Sequence, residues 1–255
     1  PLMIATRLMT SAPATLAAAI LLAAPFSQAF AQQAPADAAD AAAPASPHSF
    51  TANVSVVSDY RYRGISQTNL RPAVQGGFDY AHASGFYLGN WNSSISWLGD
   101  ADASVSAPVE MDFYGGFRGE AGGFALDGGV IFYAYVNEPN FADYNYTEFK
   151  LAASRAVGPA SVGAAVYYSP DFFGVDETAT YYEVNGSFAP MDKLTVSGAV
   201  GQQTLDVSDD YVTWNIGATY ALTDNLAIDV RYHDTDVDGV AAYEDRIVGG
   251  LKVVF

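Results

Sequence analysis

The sequence predicts an all-β fold: a transmembrane, antiparallel, up-and-down β-barrel of about 12 strands. Three observations predict it. Apolar and polar residues alternate with period two almost everywhere from Phe50 to Phe255. The connections between the alternating runs are short and long by turns. Nearly every charge inside a run falls on a single face. A soluble β-sandwich also alternates, but it has no reason to combine long strands, a regular loop rhythm and aromatic strand ends.

The chain opens with a segment of different character. Arg7 is the only charge before Asp37, Ala14 to Phe26 is nearly all Ala, Leu and Ile, and Ala29-Phe30-Ala31 reads as an A-x-A cleavage site. A basic start, a short apolar core and small residues at the cut predict a secretory signal peptide over 1–31. Residues 32–49 are Ala/Pro-rich without an apolar period, which predicts a flexible linker. The barrel is expected over 50–255.

Strands are expected near 50–64, 73–82, 86–97, 108–118, 123–135, 144–155, 160–169, 178–188, 193–202, 211–220, 225–233 and 243–255. Most have the length that a tilted strand needs to cross a bilayer. Tight turns built from Gly, Pro, Asp and Asn join alternate pairs, as at His82-Ala83-Ser84-Gly85, Val157-Gly158-Pro159 and Thr223-Asp224-Asn225. Longer segments near 65–72, 98–107, 136–143, 170–177, 203–210 and 234–242 join the others, so both ends of the barrel sequence lie on one side. With the short turns facing the periplasm, Tyr80, Phe117, Phe124, Phe188, Tyr220 and Phe255 form one aromatic belt, and Tyr62, Trp97, Tyr168, Tyr232 and Tyr243 the other. A final strand ending on an aromatic predicts Phe255 as a handle for the barrel-assembly machinery. The predicted surroundings are outer-membrane lipid and lipopolysaccharide.

Composition narrows the function. The formal net charge is −17, which argues against nucleic acid as a partner. Zero cysteines exclude a disulfide framework, thiol catalysis and a Cys–zinc site. No cofactor and no metal is expected.

Lumen and lipid faces alternate along a barrel strand, so parity places each charge. The inward set is Asp59, Arg61, Arg63, Asp79, Glu110, Asp112, Arg118, Asp127, Glu148, Lys150, Glu183, Asp229, Arg231, Glu244, Arg246 and Lys252; only Arg155 and Asp245 face outward. A charge on the lipid face at midplane costs roughly 2–4 kcal/mol. Arg61, Arg63, Arg231 and Arg246 are expected to form one basic wall, with Glu110, Asp112, Glu148 and Glu183 opposite. Opposed walls set up a transverse field that sorts solutes by charge and dipole, so these eight residues are the candidate pore constriction. The alternative is a structural network in which Asp59, Asp229 and Glu244 neutralise the arginines. Inward small residues such as Gly129, Gly163, Ser197 and Gly217 are expected to leave space for a narrow pore. The long loops carry Asp100, Asp171, Asp176, Glu177, Asp206, Asp209 and Asp210 against Arg71, which predicts a weak preference for cations at the mouth.

The segment Ser58-Asp59-Tyr60-Arg61-Tyr62-Arg63-Gly64-Ile65-Ser66-Gln67-Thr68, with Gln75-Gly76-Gly77-Phe78-Asp79-Tyr80 and Gly85-Phe86-Tyr87, resembles the TorF family of proteobacterial porins. The resemblance covers Phe50 to Phe255. It implies an outer-membrane location and a pore, and it names no substrate and no catalytic residue.

Two other chemistries deserve weighing. Asp234-Thr235-Asp236-Val237-Asp238-Gly239 with Asp245 matches EF-hand ligand spacing apart from Asp at the last position, but it joins two strands rather than two helices. A hairpin using Asp for its turn is the simpler reading. A barrel-embedded lipid-modifying enzyme would need a Ser–His pair. Of three histidines only His233 lies on a strand with inward parity, and no G-x-S-x-G elbow is present. A channel for passive diffusion of ions or small solutes is therefore expected ahead of a non-conducting structural or adhesive barrel, with an enzyme last.

Overall fold

The computed structural model describes residues 46–101, 107–136, 144–206 and 208–255. The signal peptide and most of the linker read from the sequence lie outside these residues. Twelve strands close an antiparallel barrel, each paired with its neighbour in the chain, and the first paired with the last. In chain order they are β1 (His48–Val57), β4 (Ala73–His82), β5 (Phe86–Ser94), β6 (Val109–Ala121), β7 (Phe124–Val136), β8 (Tyr146–Val157), β9 (Ala160–Ser169), β10 (Ala179–Met191), β11 (Leu194–Leu205), β12 (Tyr211–Ala221), β13 (Leu226–Thr235) and β14 (Arg246–Val254). Two further strands, β2 (Arg61–Tyr62) and β3 (Ile65–Ser66), pair only with each other.

Closure between β1 and β14 runs from Asn53 opposite Val254 to Val57 opposite Gly250. Without it, both strands would carry a row of unpaired backbone groups, which a membrane does not tolerate. Among the described residues no helix is long and apolar enough to cross a bilayer.

The two faces are inverted relative to a soluble protein. Outward residues are exposed and apolar, among them Leu151 at 67% and Ile247 at 69% exposure. Asp112, Asp127, Glu148, Glu183 and Asp229 are buried on the inner face. A continuous apolar exterior of this extent suits hydrocarbon and not water. Phe117, Phe124, Phe188, Tyr220 and Phe255 are exposed toward the short-turn end, as the first belt requires. Arg155, facing out as read, lays its guanidinium 5.3 Å from the Phe124 ring centre.

Three strand assignments need correction. The first strand stops at Val57 rather than continuing to residue 64, because the chain turns into the lumen at Ser58. The third stops at Ser94, and Trp97–Ala101 form a short helix beyond it. The last begins at Arg246, leaving Tyr243, Glu244 and Asp245 in the preceding loop.

Candidate functional site

The segment after β1 builds the site. Arg61-Tyr62 and Ile65-Ser66 are the arms of a miniature hairpin whose turn is Arg63-Gly64, with φ of 48° and 84°. Positive φ at both central residues is what a two-residue type I′ turn demands, and glycine accepts it without strain. Space imposes glycine as well: a Cβ on Gly64 would collide with Thr213 of β12 and Thr235 of β13. The hairpin tip therefore presses against the wall formed by β12 and β13, on the same side of the barrel as the β1–β14 seam.

Charge and aromatic contacts hold the hairpin there. Arg61 Nε donates to Asp59 Oδ2 at 2.7 Å, and its Nη1 donates to the carbonyls of Gly64, Ala242 and Glu244. Asp59 Oδ1 accepts from the hydroxyls of Ser66 and Thr68. Arg63 Nη2 donates to Glu148 Oε2 of β8 at 2.7 Å, and Nη1 to Gln203 Oε1 of β11 at 2.8 Å. Its guanidinium also lies 4.4 Å from the Tyr181 ring centre and 4.7 Å from that of Tyr62. Tyr60 donates to Glu110 Oε1 of β6 at 2.7 Å, and Tyr133 to Glu148 Oε2 at 3.0 Å. The Arg63 and Glu148 side chains are 3% and 1% exposed. An ion pair so far from water persists only when hydrogen bonds satisfy both partners, and here they do.

Aromatic rings fill the remaining space at this level. Tyr133 and Tyr146 stack at 4.4 Å, Phe172 packs on Tyr146 at 4.9 Å, and Tyr60 meets Trp91 edge-on at 5.3 Å. Tyr62 and Trp97, expected in the outer aromatic belt, belong to this interior packing. Tyr62 hydrogen-bonds Glu148, and Trp97 packs on Tyr135 and Phe173. The inward glycines do not open a pore as expected. A Cβ on Gly217 would meet the Arg231 side chain, one on Gly129 the Tyr87 hydroxyl, and one on Gly163 the Asn185 amide oxygen. Glycine makes room for a neighbour's long side chain.

The eight candidate constriction residues are thus partly assembled. Glu110, Asp112, Glu148 and Glu183 are buried on the inner face of β6, β8 and β10. Glu183 accepts from Asn185 and Tyr181. The expected basic wall is split, because Arg63 on the hairpin reaches across the lumen to β8, while Arg61 folds against Asp59 and the loop before β14. Arg231 stays on β13, where it pairs with Asp229 and donates to Asn215 and Ser197. Arg246 sits half-buried at the long-loop end of β14, opposite His233. Glu244, read as inward, is exposed in the loop, and only its carbonyl serves the site.

Toward the short turns the lumen is different. Asp127 accepts from Lys150 at 2.9 Å, Arg118 at 3.4 Å and the Tyr87 hydroxyl at 2.7 Å. Asp79 accepts from Tyr114 at 2.6 Å. The Lys150 and Arg118 side chains are 12% and 33% exposed, so water reaches these cations.

At the loops, Arg71 pairs with Asp100, and hydrogen bonds from Ser96 and Arg71 hold the Asp100 carboxyl below its usual range. Asp236 accepts the Val212 N–H, and Asp234 accepts from the Tyr232 hydroxyl. Asp236 ties the loop to β12, while the Asp234 contact stays within β13. His233 is buried, and no serine hydroxyl pairs with it among the described residues.

A family model described as a bacterial protein of unknown function, Gcw_chp, matches residues 41–252. No curated protein matches the chain. Among solved structures, a KdgM porin superposes with a TM-score of 0.56 at 11% identity, over 80% of this chain and 99% of that one. A KdgM porin in complex with disordered oligogalacturonate gives 0.55 at 10% identity, over 81% and 98%. A NanC porin gives 0.54 at 9% identity, over 81% and 99%. The shared feature is the barrel fold of outer-membrane porins.

Proposed function

We propose that this chain, which belongs to the Gcw_chp family, is an outer-membrane channel for passive diffusion of ions or small solutes, narrowed by the hairpin of β2 and β3. The observation that carries this reading is a closed barrel with charged residues inside and a separate polar hairpin set across it. A barrel meant only as a wall has no need of a separate polar element set across its lumen. The porin fold of the structural relatives and the resemblance to the TorF family support the same reading.

In this mechanism the constriction is a strut between strands rather than two facing walls. Arg63 reaches from the hairpin to Glu148, so a buried ion pair bridges the lumen and narrows it. At the mouth, the acidic loop residues Asp171, Asp176, Glu177, Asp206, Asp209 and Asp210 favour cations weakly over anions.

The dense packing around Arg63 favours a second reading, a barrel that does not conduct. Single-channel recording of refolded protein in planar bilayers separates the two. The channel reading predicts discrete conductance steps that grow when Arg63→Ala frees the hairpin. Silence from wild type and variant alike would establish the non-conducting barrel.

A further inference from the structure

Beside the hairpin, toward the long loops, lies a cavity of about 290 Å³. Tyr62 of the hairpin, Trp97, Phe172, Phe173, Tyr211 and Tyr243 supply half of its lining. Trp97 and Phe173 meet at 5.3 Å on one side, and Tyr211 and Tyr243 at 5.6 Å on another, each pair edge to face. Phe173 is held at φ 55°, a conformation that a bulky side chain rarely adopts. Backbone strain of this kind persists where surrounding structure imposes it, and here it sets a ring into the cavity lining.

From this lining we infer that the cavity binds a small organic cation of the alkylammonium class. Aromatic faces attract a cation through the ring quadrupole, most strongly when several rings surround it away from water. The polar side chains on the hairpin side of the lining are committed, whereas Trp97 Nε1 has no hydrogen-bond partner among the described residues. Gln203 accepts from Arg63 and donates to the carbonyls of Thr180 and Thr204. Ser66 Oγ donates to Asp59 and accepts from the Leu70 N–H, while Gln67 Nε2 donates to the Ile65 carbonyl. A sugar placed here would find Trp97 Nε1 open but the hairpin-side groups already paired, and each hydroxyl buried without a partner is costly.

Charge then separates a cation from a neutral apolar guest. Asp171, Asp206, Asp210 and Glu244 each adjoin a lining residue in the chain or its immediate neighbour. The only bases adjoining one are Arg61 and Arg63, and each is neutralised by a buried carboxylate. The field at the cavity mouth is therefore negative, and a quaternary ammonium group is drawn toward rings rather than repelled by a guanidinium.

This inference deepens the channel reading by naming a solute class at the mouth, but binding can be read without conduction. The full barrel in detergent micelles is titrated with choline chloride, and intrinsic tryptophan fluorescence and heat are recorded against sodium chloride at equal ionic strength. The neutral isostere 3,3-dimethylbutan-1-ol and glucose serve as comparisons. Saturable choline binding, at least about tenfold weaker for the isostere and for Phe173→Leu or Tyr243→Leu, is the expected result. These two side chains sit in loops outside the barrel wall, and far-ultraviolet circular dichroism checks that the variants remain barrels. Equal binding of choline and isostere, preference for glucose, or no saturable choline signal by either readout would overturn the inference. Conductance steps without choline binding would leave the channel standing and remove the site. Choline binding to a silent barrel would do the reverse.

Discussion

The two halves of the lumen use the same chemistry to opposite ends. Near the long loops, Arg63 and Glu148 are sealed among rings, and the Arg61–Asp59 pair is equally dry, with side chains 1% and 0% exposed. Near the short turns, Asp127 is shared between Lys150 and Arg118, whose side chains remain in reach of water. A dry charge pair is a structural clamp, since removing one partner strands the other in a low dielectric. Around the buried Asp127 carboxylate the cations themselves reach water, so they cost less to rearrange and can interact with whatever passes. On the proposed channel reading, the first half decides whether anything passes, and the second what passes most readily.

The largest effect expected from that contrast is at the clamp. Arg63→Ala leaves Glu148 buried without its cation and should lower stability by about 3–5 kcal/mol, read as the shift in thermal or urea unfolding. It should also raise single-channel conductance. Arg63→Ala with Glu148→Ala removes both charges, so the double variant should regain a part of the lost stability while keeping the raised conductance. If the double variant unfolds as readily as the sum of the singles, the pair is not the clamp.

Gly64→Ala should have the next largest effect, without touching a charge. The added methyl meets Thr213 and Thr235, and φ of 84° penalises any side chain. Strain of this kind costs roughly 1–3 kcal/mol. The hairpin can relieve it only by drawing back from β12 and β13, so conductance should rise with ion selectivity nearly unchanged. A rise in conductance accompanied by a full reversal of selectivity would mean that the hairpin tip carries the selectivity itself.

Most of the wall was legible in the sequence, and the clamp was not. Tight turns such as Val157-Gly158-Pro159 and strict alternation set β4 and β9 at their observed limits, because a period-two pattern beside hydrocarbon has a single workable phase. The same parity placed Asp127, Glu148, Lys150 and Lys252 inward, where the structure has them. It failed between Ser58 and Leu70. Asp59, Arg61 and Arg63 share a parity, so a hairpin entering the lumen mimics a strand that continues along the wall. The signal that could have separated them is Arg63-Gly64, a two-residue turn candidate inside the run. Tyr62 and Trp97 misled for a related reason: a ring near a strand end suits an interfacial belt and a lumen plug equally well. Which one it joins depends on where the backbone turns, and composition does not report that.

The smallest effects belong to the wet half, and they test the division of labour most directly. Lys150→Gln removes a cation whose side chain is 12% exposed, leaving Asp127 still paired with Arg118. Asp127 is buried, but Arg118 and the Tyr87 hydroxyl still hold its carboxylate, so the loss of stability should be smaller than for Arg63→Ala. Selectivity should move more. With one positive charge gone from the path, the reversal potential in a potassium chloride gradient should shift toward cations. Asp127→Asn should shift it the other way, since Lys150 and Arg118 then face the lumen without their carboxylate. Both shifts should be larger in the Gly64→Ala background, where the hairpin no longer limits the current and the wet half sets more of the resistance. If Lys150→Gln instead destabilises the barrel as Arg63→Ala does and leaves the reversal potential alone, the short-turn half is a second clamp and the division between the halves fails.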